Sequence, residues 1–317
     1  MERNDYIKLV KPKFEERYRS LLGDRYDEFL EYSFKFLRRA IRVNTLKISI
    51  PELRKRIEKD WELKQVPWCK EGFWIEHKGE EKRRDVGNLI EHMLGYIYIQ
   101  EPASMIPPIV LDPKPGETIL DMCASPGSKT TQIAQYMKGE GILMSNDYKG
   151  DRVRSLGINV QRMGATNDII TLMQGKYFAN AGIQFDRILV DAPCSGIGTI
   201  RKSLKTVTIW NPNIIRRIAG TQRQLVDAAF RILKPGGIMV YSTCTLEPEE
   251  DEGIIDYILK NNPDADVMDI DLDIKRSPCV MEFGGVEFDP RVKKALRIYP
   301  QDNDTEGFFV CRIKKKE

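Results

Sequence analysis

The sequence has 317 residues, 41% of them apolar, and a formal charge of +3, which is enough chain for one substantial core and a smaller neighbouring module. No apolar run approaches the roughly 18 to 20 residues of a spanning helix, and the opening MERNDYIKLVKPKFEERYR is too charged for a secretory leader, so an intracellular, cytoplasmic protein is expected. Cysteines 69, 123, 194, 244, 279 and 311 form no CxxC and only His77 and His92 are present, so free thiols and no structural metal are expected, and a Ser-His-Asp hydrolase has little to build on.

Residues 1–97 read as a small α+β module. Phe14, Tyr18, Leu21 and Leu22, then Tyr26, Phe29, Leu30, Phe34 and Leu37, recur at helical spacing and predict helices packed through aromatic side chains. The alternation in AIRVNTLK (40–47) predicts a strand, and Ile50-Pro51 opens a helix through Ile57. Trp61, Trp68, Lys70, Phe73 and Trp74 interleave aromatic and basic character, compatible with base stacking or with packing, of which packing is the safer assignment.

From residue 98 to 317 the rhythm changes. A short helix runs through Met105, and the turn at 113–116 introduces a strand at 118–122. Then follow a strand at 142–147, a helix at about 150–163, a strand at 185–191, a helix at about 213–233, a strand at 237–244 and a terminal strand GFFVCRIKKK. Alternating strands and helices predict a predominantly parallel sheet covered on both faces, an α/β Rossmann-like domain.

Ligands of such sheets sit beyond the carboxyl ends of the strands. The first strand ends at Asp121 and is followed by Cys123-Ala124-Ser125-Pro126-Gly127-Ser128-Lys129-Thr130, a loop that brings backbone donors to a ligand at a helix start. It is neither a G-x-G-x-x-G fingerprint nor a Walker A loop, because the glycine required five residues before Lys129 is missing. Asp147 ends the next strand, where a carboxylate can accept both ribose hydroxyls, although an aspartate there can also be a helix cap. With Asp168 read as following a further strand, a nucleoside cofactor without a diphosphate grip points to S-adenosylmethionine rather than NAD.

The strands FDRILVD and GIMVYSTC deliver Asp191, Cys194 and Cys244 to this edge. Two thiols there can be a disulfide, unrelated core groups or catalytic nucleophiles. A thiolate that adds to carbon 6 of cytosine gives carbon 5 enamine character, a carboxylic acid at N3 takes up the developing charge, and a second thiol can assist the final elimination. The residues alone do not rank the two cysteines.

DMCASPGSKT (121–130), DAPCSGIGT (191–199) and YSTCT (241–245), together with RVNT (42–45), QEPASM (100–105) and EGFFVCRI (306–313), resemble the motifs of the Sun/Nop family of RNA cytosine-5 methyltransferases over most of the chain. The resemblance implies that Cys244 is the nucleophile, that Cys194 assists product release, that Asp191 contacts the base and that Lys129 organises the site. It implies cofactor contacts from Cys123, Ala124, Ser125, Pro126, Gly127, Lys129, Asp147, Arg152, Asp168 and Asp191; read alone, Arg152 is a solvated helix residue. It further implies RNA binding by the N-terminal module. The compact layout resembles archaeal tRNA enzymes acting around the variable loop and T stem, at positions such as 48 and 49, with rRNA as the alternative substrate and a noncatalytic RNA-binding relative as the alternative role. A monomer is favoured, and an accessory protein remains open.

Charge is unevenly spread: residues 201–234 sum to +7 and residues 244–273 to −10, fields of opposite sign if both stretches are exposed. The basic run, Arg201 and Lys202 above all, is the expected RNA contact, and Arg216, Arg217 and Arg223 are either part of it or the polar side of a helix.

Overall fold

The computed structural model describes residues 9–80 and 85–317, so the first eight residues of the charged opening segment lie outside the described residues. Two helices come first, α1 (Pro12–Leu22) and α2 (Tyr26–Phe34). A four-stranded antiparallel sheet follows, made by β1 (Ala40–Val43), β2 (Trp61–Val66), β3 (Cys69–His77) and β4 (Ile97–Ile99) in the order β2-β3-β1-β4. One side of it is covered by α3 (Ile50–Ile57), whose Ser49 and Glu52 close a reciprocal capping box while Leu53 and Ile57 are buried. The strand expected at 40–47 stops at Val43 because Asn44 turns the chain: its Oδ1 accepts from Leu46 N–H and its carbonyl from Lys47 N–H.

The larger layer contains α4 (Ile106–Leu111), β5 (Thr118–Asp121), α5 (Ser128–Met137), β6 (Ile142–Asp147), α6 (Gly150–Met163), β7 (Asp168–Leu172), β8 (Phe185–Asp191), α7 (Pro212–Ile232), β9 (Leu233–Thr243), α8 (Glu252–Asn261) and β10 (Ala265–Met268). After a two-residue hairpin, β11 (Glu282–Phe283) and β12 (Val286–Glu287), come β13 (Leu296–Ile298) and β14 (Phe308–Lys315). The sheet order is β10-β14-β9-β8-β5-β6-β7, with β13 on β14. The five strands from β9 to β7 are parallel, and β14 joins antiparallel, so the parallel sheet expected from the alternation carries an antiparallel extension. On one face, α7 and α8 bury Ala219, Val226, Ala229, Ile254 and Ile258 against β8 and β9. The 21-residue α7 places its buried residues at helical spacing, from Ile215 and Ala219 to Gln222 and Val226.

On the opposite face the core is shared. Val66, Trp68, Cys69 and Trp74 pack with α4 and α5 against Ile119, Leu189 and Val240. Trp61, Trp68, Phe73 and Trp74 are all buried, and Trp68 Nε1 donates to the Pro102 carbonyl, so this aromatic set is packing. Arg42, fully buried, joins the two sheets: it donates to Gln100, Gln135, Thr131 and the Ser128 carbonyl, pinning β1 to α5. Asn44 Nδ2 donates to the carbonyls of Gly95 and Met163 and ties the same segment to the end of α6. Each residue answers buried backbone or side-chain acceptors, which explains two letters of the RVNT motif.

The aromatic stripe of α1 and α2 goes elsewhere. Phe14, Tyr18, Tyr26 and Phe29 form a core with Ile197, Ile200, Trp210, Leu246 and Tyr299. The described part of residues 1–97 therefore contributes two packing units, and the helical one braces the chain immediately after each of the two cysteines.

Candidate active site

β8 and β9 are parallel neighbours with Asp191 opposite Ser242. Cys194 stands three residues beyond one of these positions and Cys244 two beyond the other. The register therefore converts a separation of fifty positions into a contact: the Sγ atoms are 3.2 Å apart, one thiol donating to the other. A second bridge lies beside the first, with Ser195 Oγ 2.7 Å from Thr245 Oγ1. Both cysteines are half-buried free thiols.

Asp191 is held by two donors, Lys129 Nζ at 2.7 Å and Ser242 Oγ at 2.7 Å. Burial opposes the charge of the Lys129 ammonium, but Asp191 outweighs it and holds the group above the ordinary lysine range. Cys244 lies within electrostatic reach of the same ammonium. The start of α5 thus presents a cation to the thiol pair and a firmly oriented carboxylate next to it.

The backbone under Cys244 depends on two glycines. Gly198 N–H donates to the Cys244 carbonyl at 2.9 Å, and Gly307 N–H donates to the Gly198 carbonyl at 2.9 Å. A Cβ on Gly198 would lie 2.0 Å from the Gly307 oxygen and 2.8 Å from the Cys244 oxygen, both backbone atoms that cannot move without breaking these bonds. Gly198→Ala is expected to lower kcat/KM by about 10² or more through displacement of the thiol, and to cost about 2–4 kcal/mol of stability through overpacking. Steady-state kinetics and thermal melts check both.

The expected cofactor residues assemble at the next strand ends, with one exception. Cys123, Ala124, Ser125, Pro126 and Gly127 form the loop after β5, the Ser125–Pro126 peptide is cis, and Gly127 opens α5 at φ 103°. Asp147 ends β6, and Arg152 is not merely solvated: its Nε lies 3.2 Å from Asp147 Oδ2 while its guanidinium donates to the Ser125 carbonyl. Ser125 Oγ donates in return to the Arg152 carbonyl. Burial pushes the Cys123 thiol far up, which makes it an inert part of the wall.

Asp168 is the exception and a correction. It begins β7 rather than following a strand, opposite Leu143 near the start of β6, and accepts from Ser145 Oγ at 2.8 Å. β7 is parallel, so Asp168 stands at the wrong end of the strand for the ligand edge. That edge receives Met173 and the exposed Gln174 instead, immediately before Gly175. The signal was available: IITLM is the apolar run, and its end precedes the glycine.

Arg201 is a second correction. Its guanidinium is 1% exposed and donates to the carbonyls of Lys35, Phe36 and Thr305 and to Asp304. It is a strut that ties the chain after α2 to the loop leading to Gly307. Lys202 and Lys205 stay exposed, and Arg216, Arg217 and Arg223 lie on the solvent side of α7, with Arg223 over the Tyr257 ring. The acidic stretch does not act as a surface field throughout: Glu247, Glu250, Asp251 and Glu252 are fully buried. Glu247 accepts from Arg17, Tyr18 and Trp210, and Arg297 pairs with both Asp251 and Glu252.

Several buried acids titrate high. Burial, then the Glu306 charge, pushes Glu101 up to about 8. Burial raises Asp121 and Glu250 to about 7 each. A carboxyl whose folded value exceeds its unfolded value stabilises the fold fully below the unfolded value and loses that contribution as pH rises through the folded one. The melting temperature is therefore expected to fall between about pH 5 and 8, and Glu101→Gln should flatten that slope in calorimetry.

A largely parallel sheet with an acid-ended cofactor edge is the Rossmann-like architecture of the S-adenosylmethionine-dependent methyltransferases, and two touching thiols at that edge narrow the class further. Residues 108–314 match the family model described as 16S rRNA methyltransferase RsmB/F, and residues 10–102 match the N-terminal domain of 16S rRNA methyltransferase RsmF. The chain is 45% identical to a tRNA (cytosine(49)-C(5))-methyltransferase of Pyrococcus abyssi, over 99% of each chain. It is 44% identical to ribosomal RNA small subunit methyltransferase F of Aliivibrio fischeri over 91% of this chain, and it spans 60% of that longer relative. Among solved structures, a methyltransferase homolog from Pyrococcus horikoshii superimposes with a TM-score of 0.87 at 38% identity, covering 99% of this chain and 100% of that one. The chain belongs to the RsmB/F, or Sun/Nop, family of RNA cytosine-5 methyltransferases.

Proposed function

We propose that this chain methylates carbon 5 of cytosine in tRNA, at positions around the variable loop and T stem such as 48 and 49, with S-adenosyl-L-methionine as methyl donor. The observation that carries the chemistry is the 3.2 Å contact between Cys194 and Cys244 beside the Lys129–Asp191 pair. The tRNA reading is supported by the full-length match to a relative named for cytosine 49, against 60% coverage of the rRNA relative.

The cofactor edge fits the donor. Asp147 offers carboxylate oxygens at the end of β6, and the Ser125–Gly127 turn brings backbone close. S-adenosyl-L-methionine supplies, when bound, a methyl group on a sulfonium. Cys244 thiolate adds to carbon 6 of cytosine: an S–C6 bond forms and the C5=C6 π pair moves onto carbon 5 and the ring. Lys129 and Asp191 orient the base and balance the charge at N3 during addition. Carbon 5 takes the methyl group, a base takes the carbon 5 proton, and that C–H pair reforms C5=C6 as Cys244 leaves as thiolate, a departure that the Cys194 thiol assists by donating to the Cys244 sulfur. The target base must leave its stack to reach the thiol, and the exposed Lys202 and Lys205 stand ready to contact phosphate.

Tritiated S-adenosylmethionine incubated with tRNA transcripts, rRNA and matched DNA tests the reading. Label at carbon 5 of cytosine in tRNA alone is expected, and site-resolved bisulfite sequencing of a mixed RNA pool should find it near the variable loop. Label confined to rRNA, or none in any RNA with folded protein, overturns it.

A further inference from the structure

Glu250 is fully buried and belongs to none of the ion pairs described above. Its Oε2 accepts from Ser195 N–H at 2.9 Å and from Gln222 Nε2 at 3.0 Å, while its Oε1 is buried without a hydrogen-bond partner among the described residues. Gln222 Nε2 also donates to the Pro193 carbonyl at 2.9 Å. The Pro193-Cys194-Ser195 segment is thus gripped on both sides of its cysteine, and the grip ends in a carboxyl group one peptide unit from Cys194.

Among the described residues, no cation figures in the main charges acting on Glu250. Glu247 and Asp251 come from its own turn, and Tyr241 of β9 donates its hydroxyl to the Glu250 carbonyl. The nearby guanidinium groups of Arg297 and Arg17 are committed to Asp251 and Glu252, and to Glu247 and Glu249. Cys244 has the opposite neighbour, because the Lys129 ammonium is within its electrostatic reach. Two thiols in contact do not both ionise readily, so the surrounding field decides which one keeps the proton.

We infer that Glu250 is the positioning residue that divides the labour between the thiols: it fixes the Cys194 loop and sets an acid group behind Cys194, so that Cys194 keeps its proton in the resting pair and Cys244 is left as the attacking thiol. This rests on the two-thiol reading above, but it concerns the resting protein and needs no RNA. In its support, the Cys194 thiol is held well above the ordinary range by its hydrogen bond with Cys244, then by burial, then by the charges of Cys244 and Glu250.

The test is the pH dependence of Cys194 alkylation by iodoacetamide in the full chain, read by peptide mass spectrometry. In a Cys244→Ser background, adding Glu250→Gln is expected to lower the alkylation midpoint by about one pH unit or more, raising the rate near pH 7.5 by about tenfold. With both thiols present, Glu250→Gln should raise the share of label on Cys194 relative to Cys244. An unchanged midpoint, or a rate raised equally at every pH as a merely loosened loop would give, overturns the inference. Should the Gln variant fail to fold, the Cys244→Ser chain still decides: ionisation of Glu250 near pH 7 should spread the Cys194 profile into two steps, and a single ordinary step overturns the inference. Absence of methyl transfer by the unsubstituted chain, with these profiles intact, would count against the proposed function alone.

Discussion

Replacing Cys244 by alanine is expected to abolish methyl transfer and covalent capture of RNA together, lowering kcat by on the order of 10⁴-fold or more, as removal of a covalent nucleophile does. The substitution deletes only the sulfur. The Gly198 N–H bonds to the Cys244 backbone carbonyl, and β9 and β14 pair through main-chain atoms, so the strand end should stay in place. Cys194 would remain 3.2 Å from the vacated position, yet its loop is fastened through Pro193 and Ser195, so it is held back from taking the place of Cys244. Cys244→Ser should behave like the alanine variant, because a serine hydroxyl in this setting has no partner basic enough to ionise it. The check is a denaturing gel of protein mixed with labelled RNA, run beside single-turnover tritium incorporation. An adduct that builds up in the Cys244 variant would exchange the roles of the two thiols.

The sequence carried the site better than the surface. Strand-end logic placed Asp121, Asp147, Asp191, Cys194 and Cys244 at one edge, because short apolar runs closed by an acid or a thiol have few other readings in an α/β sheet. It misplaced Asp168, since Asn-Asp before an apolar run closes one strand and opens another equally well. Charge was the poorest guide: Arg201 and four consecutive-region acids, Glu247, Glu250, Asp251 and Glu252, look like solvated letters and are buried in pairs or networks whose partners lie far off in the chain. The partners of Glu247 come from α1 and from Trp210, the partner of Asp251 from β13. No local pattern encodes such pairings, whereas Gly198 and Gly307 meet because two loops must pass within a backbone's width beneath Cys244.

Cys194→Ala should give the complementary result, a protein–RNA adduct that survives denaturation. The addition of Cys244 and the transfer of methyl need the Lys129–Asp191 pair and the cofactor edge, none of which the substitution touches. A first methyl group should therefore still appear in a single turnover. Release is different, because carbon 5 then carries both methyl and hydrogen and the S–C6 bond breaks only when that proton leaves. Cys194 is the group in contact with the attacking sulfur, and its loop is held by Glu250 and Gln222 rather than by the base. Without its help, steady-state turnover is expected to fall by about 10²–10⁴-fold, the range for a lost acid–base group, while trapped complex approaches the amount of enzyme. A Cys194→Ala chain that turns over normally, or that neither methylates nor traps, would remove Cys194 from product release, and the short contact between the sulfurs would then need another purpose.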